Sequence, residues 1–141
     1  MNAPVVIVGC GAAKVGYPAP ARSLYVGSYF TMCLSAAEAL TTQSRVFILS
    51  ARYGLLPVAS PVEIEPYDLT MGELGSVDAR QLAAQAVEHG ISDEPVIVLC
   101  GVRYAALVRQ VWSHVSAPLA GLGIGKQRHV LSVLRAGGSV L

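Results

Sequence analysis

The sequence predicts a single-domain, three-layer α/β fold in which helices cover both faces of a mainly parallel sheet. Runs of four or five consecutive Val, Ile, Leu and Phe residues occur in VVIVGCGAAK, VFILSARYGLL and VIVLCGVRY. They lack the polar alternation of half-exposed strands, which is typical of strands buried on both faces. Each run ends in small residues followed by a cation. A length of 141 residues suits one domain, covering residues 1–141.

The remaining elements follow from apolar periodicity and turn residues. In the first half of the chain, strands are predicted at residues 4–8 and 45–49, a proline-containing irregular loop between residues 15 and 21, and a helix at 22–40. In the second half, helices are predicted at residues 76–89, 102–115 and 126–134, and a strand at 95–99. Ser76 is the expected N-cap of the first of these helices and Gly90 its left-handed stop, and Gly137-Gly138 should end the last helix.

Residues 55–68 contain three prolines and no helical period, so they are predicted to run over the surface as one extended loop. Loops of this length often carry functional residues.

Composition and charge exclude several classes of protein. Ten Lys and Arg against nine Asp and Glu give a formal charge of +1, so no global field attracts nucleic acid or an acidic membrane, and anion recognition must be local. Three cysteines without CxxC spacing do not predict a disulfide framework or a zinc knuckle, and no metal or redox cofactor is expected.

Targeting and assembly are predicted from the apolar content. The first apolar run is too short for a signal peptide or a membrane span, so we expect a cytoplasmic protein. Because 53% of the residues are hydrophobic and only 13% are charged, part of the surface is expected to be covered in a homo-oligomer, most simply a homodimer.

Cations that follow the strands predict an anion site. Lys14, Arg52 and Arg103 come a few residues after a strand end, so a parallel sheet gathers them at one edge. Three cations repel one another unless an anion or acidic side chains neutralise them, which favours a bound phosphate or carboxylate. Plain turn chemistry is the alternative, since strand-to-helix turns need glycine with or without a ligand. Four further binding residues are predicted at or just after the same strand ends, namely Cys10, Ser50, Gly54 and Gly101.

A fourth glycine cluster, GLGIGK, contributes Gly123, Gly125 and Lys126 to the predicted site. A helix beginning near Gly125 would present free N–H groups to a phosphate beside Lys126. The spacing is not that of a Walker motif, because Gln127 follows the lysine. GCGAAK departs from the dinucleotide fingerprint at Lys14, which occupies the third glycine position. A P-loop ATPase and a Rossmann dehydrogenase are therefore disfavoured.

Acidic residues in VEIEPYDLT are the candidates for catalysis, and we predict Asp68, Glu65 and Tyr67 as the catalytic residues. A carboxylate in a cleft would act as a general base or a nucleophile. The alternative is a solvated loop in which Asp68 caps a turn. A Cys10 thiolate beside Lys14 would be activated, although small buried cysteines are commoner. The tyrosines that are candidates for stacking on a base, or for packing at the edge of the core, are Tyr25, Tyr29, Tyr53, Tyr67 and Tyr104.

Five motifs taken in order, GCGAAK, PARSLYVGSYF, ILSARYGLLP, PYDLT and GLGIGKQ, resemble a family of small, largely uncharacterised bacterial and phage proteins. Its usual form is a strand, Cys-x-x-x-Lys, Pro-Ala-x-x-Leu-Tyr-x-Gly, Ser-Ala-Lys/Arg-x-Gly-Leu and Pro-Tyr-Asp. The first block is also distantly similar to the peroxide-stress protein YaaA and to a domain of archaeosine-type tRNA base-modifying enzymes. The resemblance implies a context of nucleotides, modified bases or nucleic acid, and it adds Arg22 and Tyr25 to the predicted binding residues.

These observations lead us to expect a nucleotide- or nucleobase-processing enzyme that cleaves or exchanges an N-glycosidic bond in a nucleotide, DNA or RNA. In this scheme Asp68 or a neighbouring Glu supports the sugar cation or activates water. Lys14, Arg52 and Lys126 hold phosphate, and a tyrosine stacks on the base. Two alternatives remain: a nucleotide- or nucleic-acid-binding module without catalysis, and a structural, partner-binding phage or bacterial protein.

Overall fold

Seven strands, five α-helices and one short 3-10 helix (Gln43–Arg45) lie within residues 3–137, the part of the chain that this computed structural model describes. The strands are β1 (Val5–Gly9), β2 (Ala19–Pro20), β3 (Val46–Ser50), β4 (Gly54–Pro57), β5 (Glu63–Ile64), β6 (Val96–Leu99) and β7 (Val115–Ser116). The helices are α1 (Ala21–Leu24), α2 (Ser28–Leu40), α3 (Ala79–Glu88), α4 (Val102–Val111) and α5 (Ile124–Arg135). Among residues 3–137, no helix has the length and apolar character needed to cross a membrane.

Five of the strands form one mostly parallel sheet in the order β4-β3-β1-β6-β7. β1 is parallel to both β3 and β6, and β7 is parallel to β6. β4 turns back antiparallel to β3 at one edge, and the two-residue strands β2 and β5 form a separate antiparallel pair. The predicted α/β fold with a mainly parallel sheet is confirmed.

Side chains of β1 alternate between two hydrophobic cores, one on each face of the sheet. Val6 and Val8 belong to the core that includes α2 and α5, whereas Val5 and Ile7 belong to the core that includes α3 and α4. All four side chains are fully buried. Full burial of an aliphatic side chain contributes about 1.5–3 kcal/mol, so a polar residue at any of these positions would be costly. The continuous apolar run of β1 is thereby explained.

The single helix predicted over residues 22–40 is wrong, because two helices occupy this range with an extended segment between Leu24 and Ser28. Tyr25 forms an antiparallel bridge with Lys14, and the N–H of Val26 donates to the carbonyl of Ala13. These bonds use backbone groups that a continuous helix would need for itself. The interruption ties the helical segment to the chain that follows β1.

The connection between β1 and α1, predicted to be irregular, contains the short strand β2, and residues 55–68 are not one extended loop. Gly54–Pro57 forms the edge strand β4, and Glu63–Ile64 pairs with β2.

The turn into β4 requires glycine, since Gly54 has φ +77° and the side-chain amide of Gln85 occupies the space of a Cβ. Gln85 accepts a hydrogen bond from the N–H of Leu55 and donates one to the carbonyl of Tyr53.

The predicted N-cap at Ser76 is wrong, because α3 begins at Ala79 and its N-cap is Asp78. The Asp78 carboxylate accepts from the N–H of Gln81, and the Gln81 side chain accepts from the N–H of Asp78, which forms a capping box. The predicted stop at Gly90 is confirmed by its φ of +71°.

The other two predicted helices of the second half differ from the observed ones in their bounds. α4 ends at Val111, because Trp112 is extended and its indole N–H donates to the buried carbonyl of Ile91. α5 starts at Ile124, two residues earlier than predicted. Gly137 has φ +88°, as expected for a residue that stops a helix, and Gly138 lies outside the described residues.

Candidate functional site

The carboxyl ends of β1 and β6 border a crevice at the edge of the sheet. The chain continues from β1 towards α2 on one face, whereas β6 is followed by α4 on the other face. Because these two connections diverge, the opening between the adjacent strands is the topological switch point, where open α/β sheets bind their ligands. A pocket of about 90 Å³ lies there. Its lining residues are Cys10, Gly11, Ala12, Lys14, Asp68, Leu69, Thr70 and Tyr104.

Lys14 and Asp68 bring opposite charges into this lining. The half-buried Lys14 ammonium donates to the carbonyl of Ala12 at 3.1 Å and lies 4.4 Å from the ring centroid of Tyr67. This cation–π contact holds the side chain over the ring. An ammonium has three donors, and the described residues engage one of them, so two are available to an anion. Asp68 is exposed to solvent and can reach a ligand in the pocket.

The Tyr67 hydroxyl is the centre of a buried hydrogen-bond network beside the pocket. It lies 2.7 Å from Ser50 Oγ, 2.8 Å from the Tyr25 hydroxyl and 3.5 Å from Cys10 Sγ. Cys10 Sγ in turn lies 3.3 Å from the Tyr104 hydroxyl. The network thus joins the ends of β1 and β3 to the first turn of α4 and to the loop that carries Asp68.

Ser50, the last residue of β3, is completely buried and fully hydrogen-bonded. Its Oγ accepts from the N–H of Arg52 at 3.2 Å and from the N–H of Tyr53 at 3.0 Å. Serine commonly closes turns through such side-chain to backbone bonds. It therefore fixes the turn from β3 into β4 and presents its hydroxyl to Tyr67.

Burial controls the ionisation of the phenols in the network. Desolvation is the main cause that raises the pKa of Tyr25 to about 12. Desolvation is also the main cause that raises the pKa of Tyr67 and the pKa of Tyr104. At neutral pH these groups are therefore neutral phenols that donate hydrogen bonds, and they do not act as phenolate bases.

The ring of Tyr67 packs against two other tyrosines and a cation. It meets the rings of Tyr25 and Tyr53 in T-shaped geometry, with centroids 6.4 Å and 5.6 Å away, and Lys14 lies over it. Its hydroxyl group makes the hydrogen bonds of the network. The predicted role in catalysis stays a prediction.

The glycine at position 9, the last residue of β1, is required by close packing between strands. A Cβ at Gly9 would lie 2.8 Å from Cβ of Cys100 and 3.4 Å from Cγ of Tyr104. A side chain there would push apart the ends of β1 and β6, between which the pocket forms. Burial raises the pKa of the Cys100 thiol to about 12, so Cys100 serves as a neutral, apolar packing group at this junction.

Two of the three cations predicted at the strand ends do not line the pocket. Arg52 is exposed, and its guanidinium carbon lies 5.3 Å from the ring centroid of Tyr53. Arg103 makes a long hydrogen bond of 3.5 Å to the carbonyl of Met71 and lines a neighbouring groove of about 290 Å³. Of the three, Lys14 alone contributes to the pocket lining.

Two further predicted residues lie elsewhere on the surface. Arg22 forms an ion pair with Glu38 of α2, in which one nitrogen–oxygen distance is 3.1 Å. Glu65 is exposed, and its backbone carbonyl accepts from the hydroxyl of Tyr53 at 3.0 Å. Neither residue lines the pocket.

The glycine positions predicted to bind phosphate occur at a turn and at helix starts. Gly54 forms the turn into β4, and Gly101 is the N-cap of α4, whose first turn carries the pocket residue Tyr104. Gly123 is the N-cap of α5, and Gly125 and the exposed Lys126 lie in its first turn. Among the described residues 3–137, no side chain caps α4 or α5, and the first N–H groups of a helix have no partner within the helix itself.

The start of α5 is attached to the start of α2 and not to the pocket lining. Gln127 accepts a hydrogen bond from the Tyr29 hydroxyl and donates one to the carbonyl of Leu122 at 2.8 Å. Arg128 also contacts the hydroxyl of Ser28, the first residue of α2, at 3.4 Å.

The sequence prediction did not include Tyr104 among the site residues, except as one of five stacking candidates. It is the third residue of α4, and the first turn after a buried strand faces the ligand-binding edge of an α/β sheet. This position in the sequence could have identified Tyr104 as a site residue. Leu69 and Thr70 lie in an irregular loop, whose course has no periodicity from which their place could be predicted.

Within residues 3–137, no three His, Cys, Asp or Glu side chains are grouped so that they could hold a metal ion. No curated protein and no solved structure matches the chain significantly. The sequence does match the model of a family of unknown function, DUF6884, over residues 5–133. This range extends from the first residue of β1 almost to the end of α5. The chain therefore belongs to DUF6884, a family of unknown function.

Proposed function

We propose that the protein is a nucleotide- or nucleobase-processing enzyme that cleaves or exchanges an N-glycosidic bond. The observation that carries this proposal is the presence of Asp68 and Lys14 in the lining of one pocket at the switch point of the sheet. Departure of a base leaves positive charge on the sugar, which a carboxylate stabilises. The ammonium, with two available donors, suits a phosphate or another anionic group of the same substrate.

The size of the pocket limits what part of the substrate it would hold. With a volume of about 90 Å³, the pocket would hold a phosphate group or part of a sugar ring, but it is too small for a whole nucleotide. The base would then extend over the adjoining surface, where Arg103 and Met71 line a larger groove next to the loop that carries Asp68.

Two side chains act in the proposed reaction, a carboxylate and a phenol. Asp68 supports the developing sugar cation or accepts a proton from the attacking water, as a carboxylate does in glycoside hydrolysis. Tyr104 lines the same pocket and remains protonated at neutral pH because burial raises its pKa. Its phenol can therefore donate a hydrogen bond to the departing base.

A nucleotide-binding module without catalysis is the second candidate, because Asp68 is solvent-exposed and not enclosed as catalytic acids with altered ionisation commonly are. The distant likeness to base-modifying enzymes and the small net charge favour a nucleotide or a single base over a long nucleic-acid track as ligand. A homodimer remains our expectation from composition, and light scattering measures the oligomeric state.

The enzymatic proposal is tested by incubating the purified protein with nucleosides, nucleotides, and DNA and RNA oligonucleotides that carry unmodified or modified bases. Mass spectrometry then measures free base and exchanged products. We expect base release or exchange, reduced about 100-fold or more in Asp68→Asn, because loss of an essential carboxylate has effects of this order. Asp93→Asn is the matched control, since Asp93 is an exposed aspartate just before β6, at the opposite edge of the sheet.

Three outcomes separate the candidates. Activity that is lost in Asp68→Asn and retained in Asp93→Asn supports the enzyme. Nucleotide binding without any released or exchanged base supports the binding module. Equal activity in both variants contradicts the role of Asp68.

A further inference from the structure

The hydrogen bonds of Ser50 determine where its own proton points. Its Oγ accepts from the N–H groups of Arg52 and Tyr53. A hydroxyl oxygen has two acceptor positions and one proton to donate, so both acceptor positions are filled. Ser50 must therefore donate its own proton in its remaining contact, to the Tyr67 hydroxyl oxygen 2.7 Å away.

Tyr25 also donates to Tyr67. Tyr25 is only 3% exposed, so its hydroxyl is shielded from bulk water and needs an acceptor within the protein. The Tyr67 oxygen lies 2.8 Å away. With Ser50 and Tyr25 both donating to it, the Tyr67 oxygen has no further acceptor position, and its own proton must point elsewhere. Cys10 Sγ, at 3.5 Å, is the partner in that direction.

We propose that Ser50 is a positioning residue that, together with Tyr25, directs the Tyr67 phenol proton at Cys10 and makes the Cys10 sulfur the reactive thiol of the pocket. This goes beyond the proposed function and does not depend on the identity of the substrate. Ser50 acts through Tyr67 and does not touch the ligand itself. Cys10 lines the pocket, as do Lys14 and Tyr104.

Two phenols converge on the Cys10 sulfur. Tyr67 donates to it from one side, and the Tyr104 hydroxyl lies 3.3 Å from it. A donor that already points at a sulfur atom stabilises negative charge on it, and the thiolate is the form of a cysteine that attacks an electrophile. The other two cysteines, Cys33 and Cys100, are buried, and burial raises the pKa of each thiol to about 12. The three thiols should therefore differ sharply in reactivity.

The test is the rate at which iodoacetamide alkylates each cysteine of the folded protein, followed by peptide mass spectrometry over a range of about pH 6 to 9. We expect Cys10 to react at least about tenfold faster than Cys33 or Cys100, since exposure and charge stabilisation govern thiol reactivity. Tyr67→Phe should slow the alkylation of Cys10 about fivefold, the effect of one hydrogen bond. Ser50→Ala should slow it too, and Ser50→Thr, which keeps the hydroxyl, should restore the rate.

Tyr53→Phe is the matched control, because its hydroxyl bonds to the carbonyl of Glu65 and not to the sulfur. Circular dichroism verifies that every variant is folded. Ser50→Ala also removes the acceptor of two backbone N–H groups, so if it does not fold, the comparison of Tyr67→Phe with Tyr53→Phe decides. The proposal is overturned if Cys10 reacts as fast in Tyr67→Phe as in Tyr53→Phe, or no faster than the buried thiols in the unaltered protein.

Discussion

The side-chain oxygens of Ser50 and Tyr67 lie 2.7 Å apart and connect the last residue of β3 to the loop that carries Asp68. The bond is buried at the serine and is supported by two backbone N–H groups behind it. Because Asp68 follows Tyr67 directly in the sequence, this bond holds the carboxylate beside the crevice between β1 and β6. The packing of the strand end and the position of Asp68 therefore depend on the same contact.

Replacing Tyr67 with Phe should destabilise the fold. The hydroxyl groups of Ser50 and Tyr25 would lose their acceptor while they stay buried, which costs about 1–3 kcal/mol in the free energy of unfolding. Tyr53→Phe removes a single bond, to a carbonyl on an exposed segment, and should cost less than about 1 kcal/mol. Urea denaturation of both variants measures the difference. Equal losses would contradict the buried network.

Gly54 and Gln85 should be energetically coupled. An alanine at Gly54 must adopt a left-handed backbone, which costs about 1–2 kcal/mol, and its Cβ collides with the side-chain amide of Gln85. Gln85→Ala removes the collision together with the two hydrogen bonds of Gln85. A double-mutant cycle should therefore give a smaller cost for Gly54→Ala in the Gln85→Ala background. Strict additivity would show that the two residues do not meet at this turn.

Alkaline pH should weaken the fold. Burial raises the pKa of Tyr25 from 10.0 to about 12 and the pKa values of Cys33 and Cys100 from 9.0 to about 12. Below about pH 9 both the folded and the unfolded states keep these protons, so the groups add no pH dependence. Above that pH the unfolded state releases protons that the folded state retains, and the free energy of unfolding falls.

Urea midpoints at about pH 7 and about pH 10.5 measure this loss. Tyr25→Phe should lose less stability between the two pH values than the unaltered protein, because one of the buried acidic groups is gone. A midpoint that does not change with pH would contradict the burial of these groups.

Lys14 should contribute more to anion binding than Lys126. Lys14 lines the pocket, whereas Lys126 is exposed in the first turn of α5, which attaches to α2. Lys14→Ala should weaken the binding of a nucleotide about tenfold, which corresponds to ~1.4 kcal/mol. Lys126→Ala, which removes the same charge, should change the affinity less than about twofold. Isothermal titration calorimetry measures both, and the reverse order would move the phosphate to the start of α5.

Much of the fold could be predicted from the sequence because burial on both faces leaves a direct signal. The apolar runs at β1, β3 and β6 have no polar positions, and these strands are the parallel centre of the sheet. The errors fall where tertiary contacts override local preference. The helix predicted at residues 22–40 is interrupted because Tyr25 pairs with Lys14, and α3 is capped by Asp78 because the box with Gln81 supplies more bonds than Ser76 can.

The site was predictable only in part. Lys14, Cys10 and Asp68 were predicted, and the structure brings them into one lining. Strand ends alone do not determine where long side chains point, and Arg52 and Arg103 turn to Tyr53 and Met71 instead. The network around Tyr67 has no sequence signal, because its hydrogen bonds join residues that are 17 to 94 positions apart.

The most direct test of the central claim is a crystal structure of the protein with a bound nucleoside monophosphate. We predict that the sugar or the phosphate lies in the pocket between β1 and β6, within hydrogen-bond distance of the Lys14 ammonium and beside the Asp68 carboxylate. A nucleotide bound elsewhere, for example at the start of α5 near Lys126, with the pocket at Lys14 and Asp68 filled by solvent alone, would contradict it.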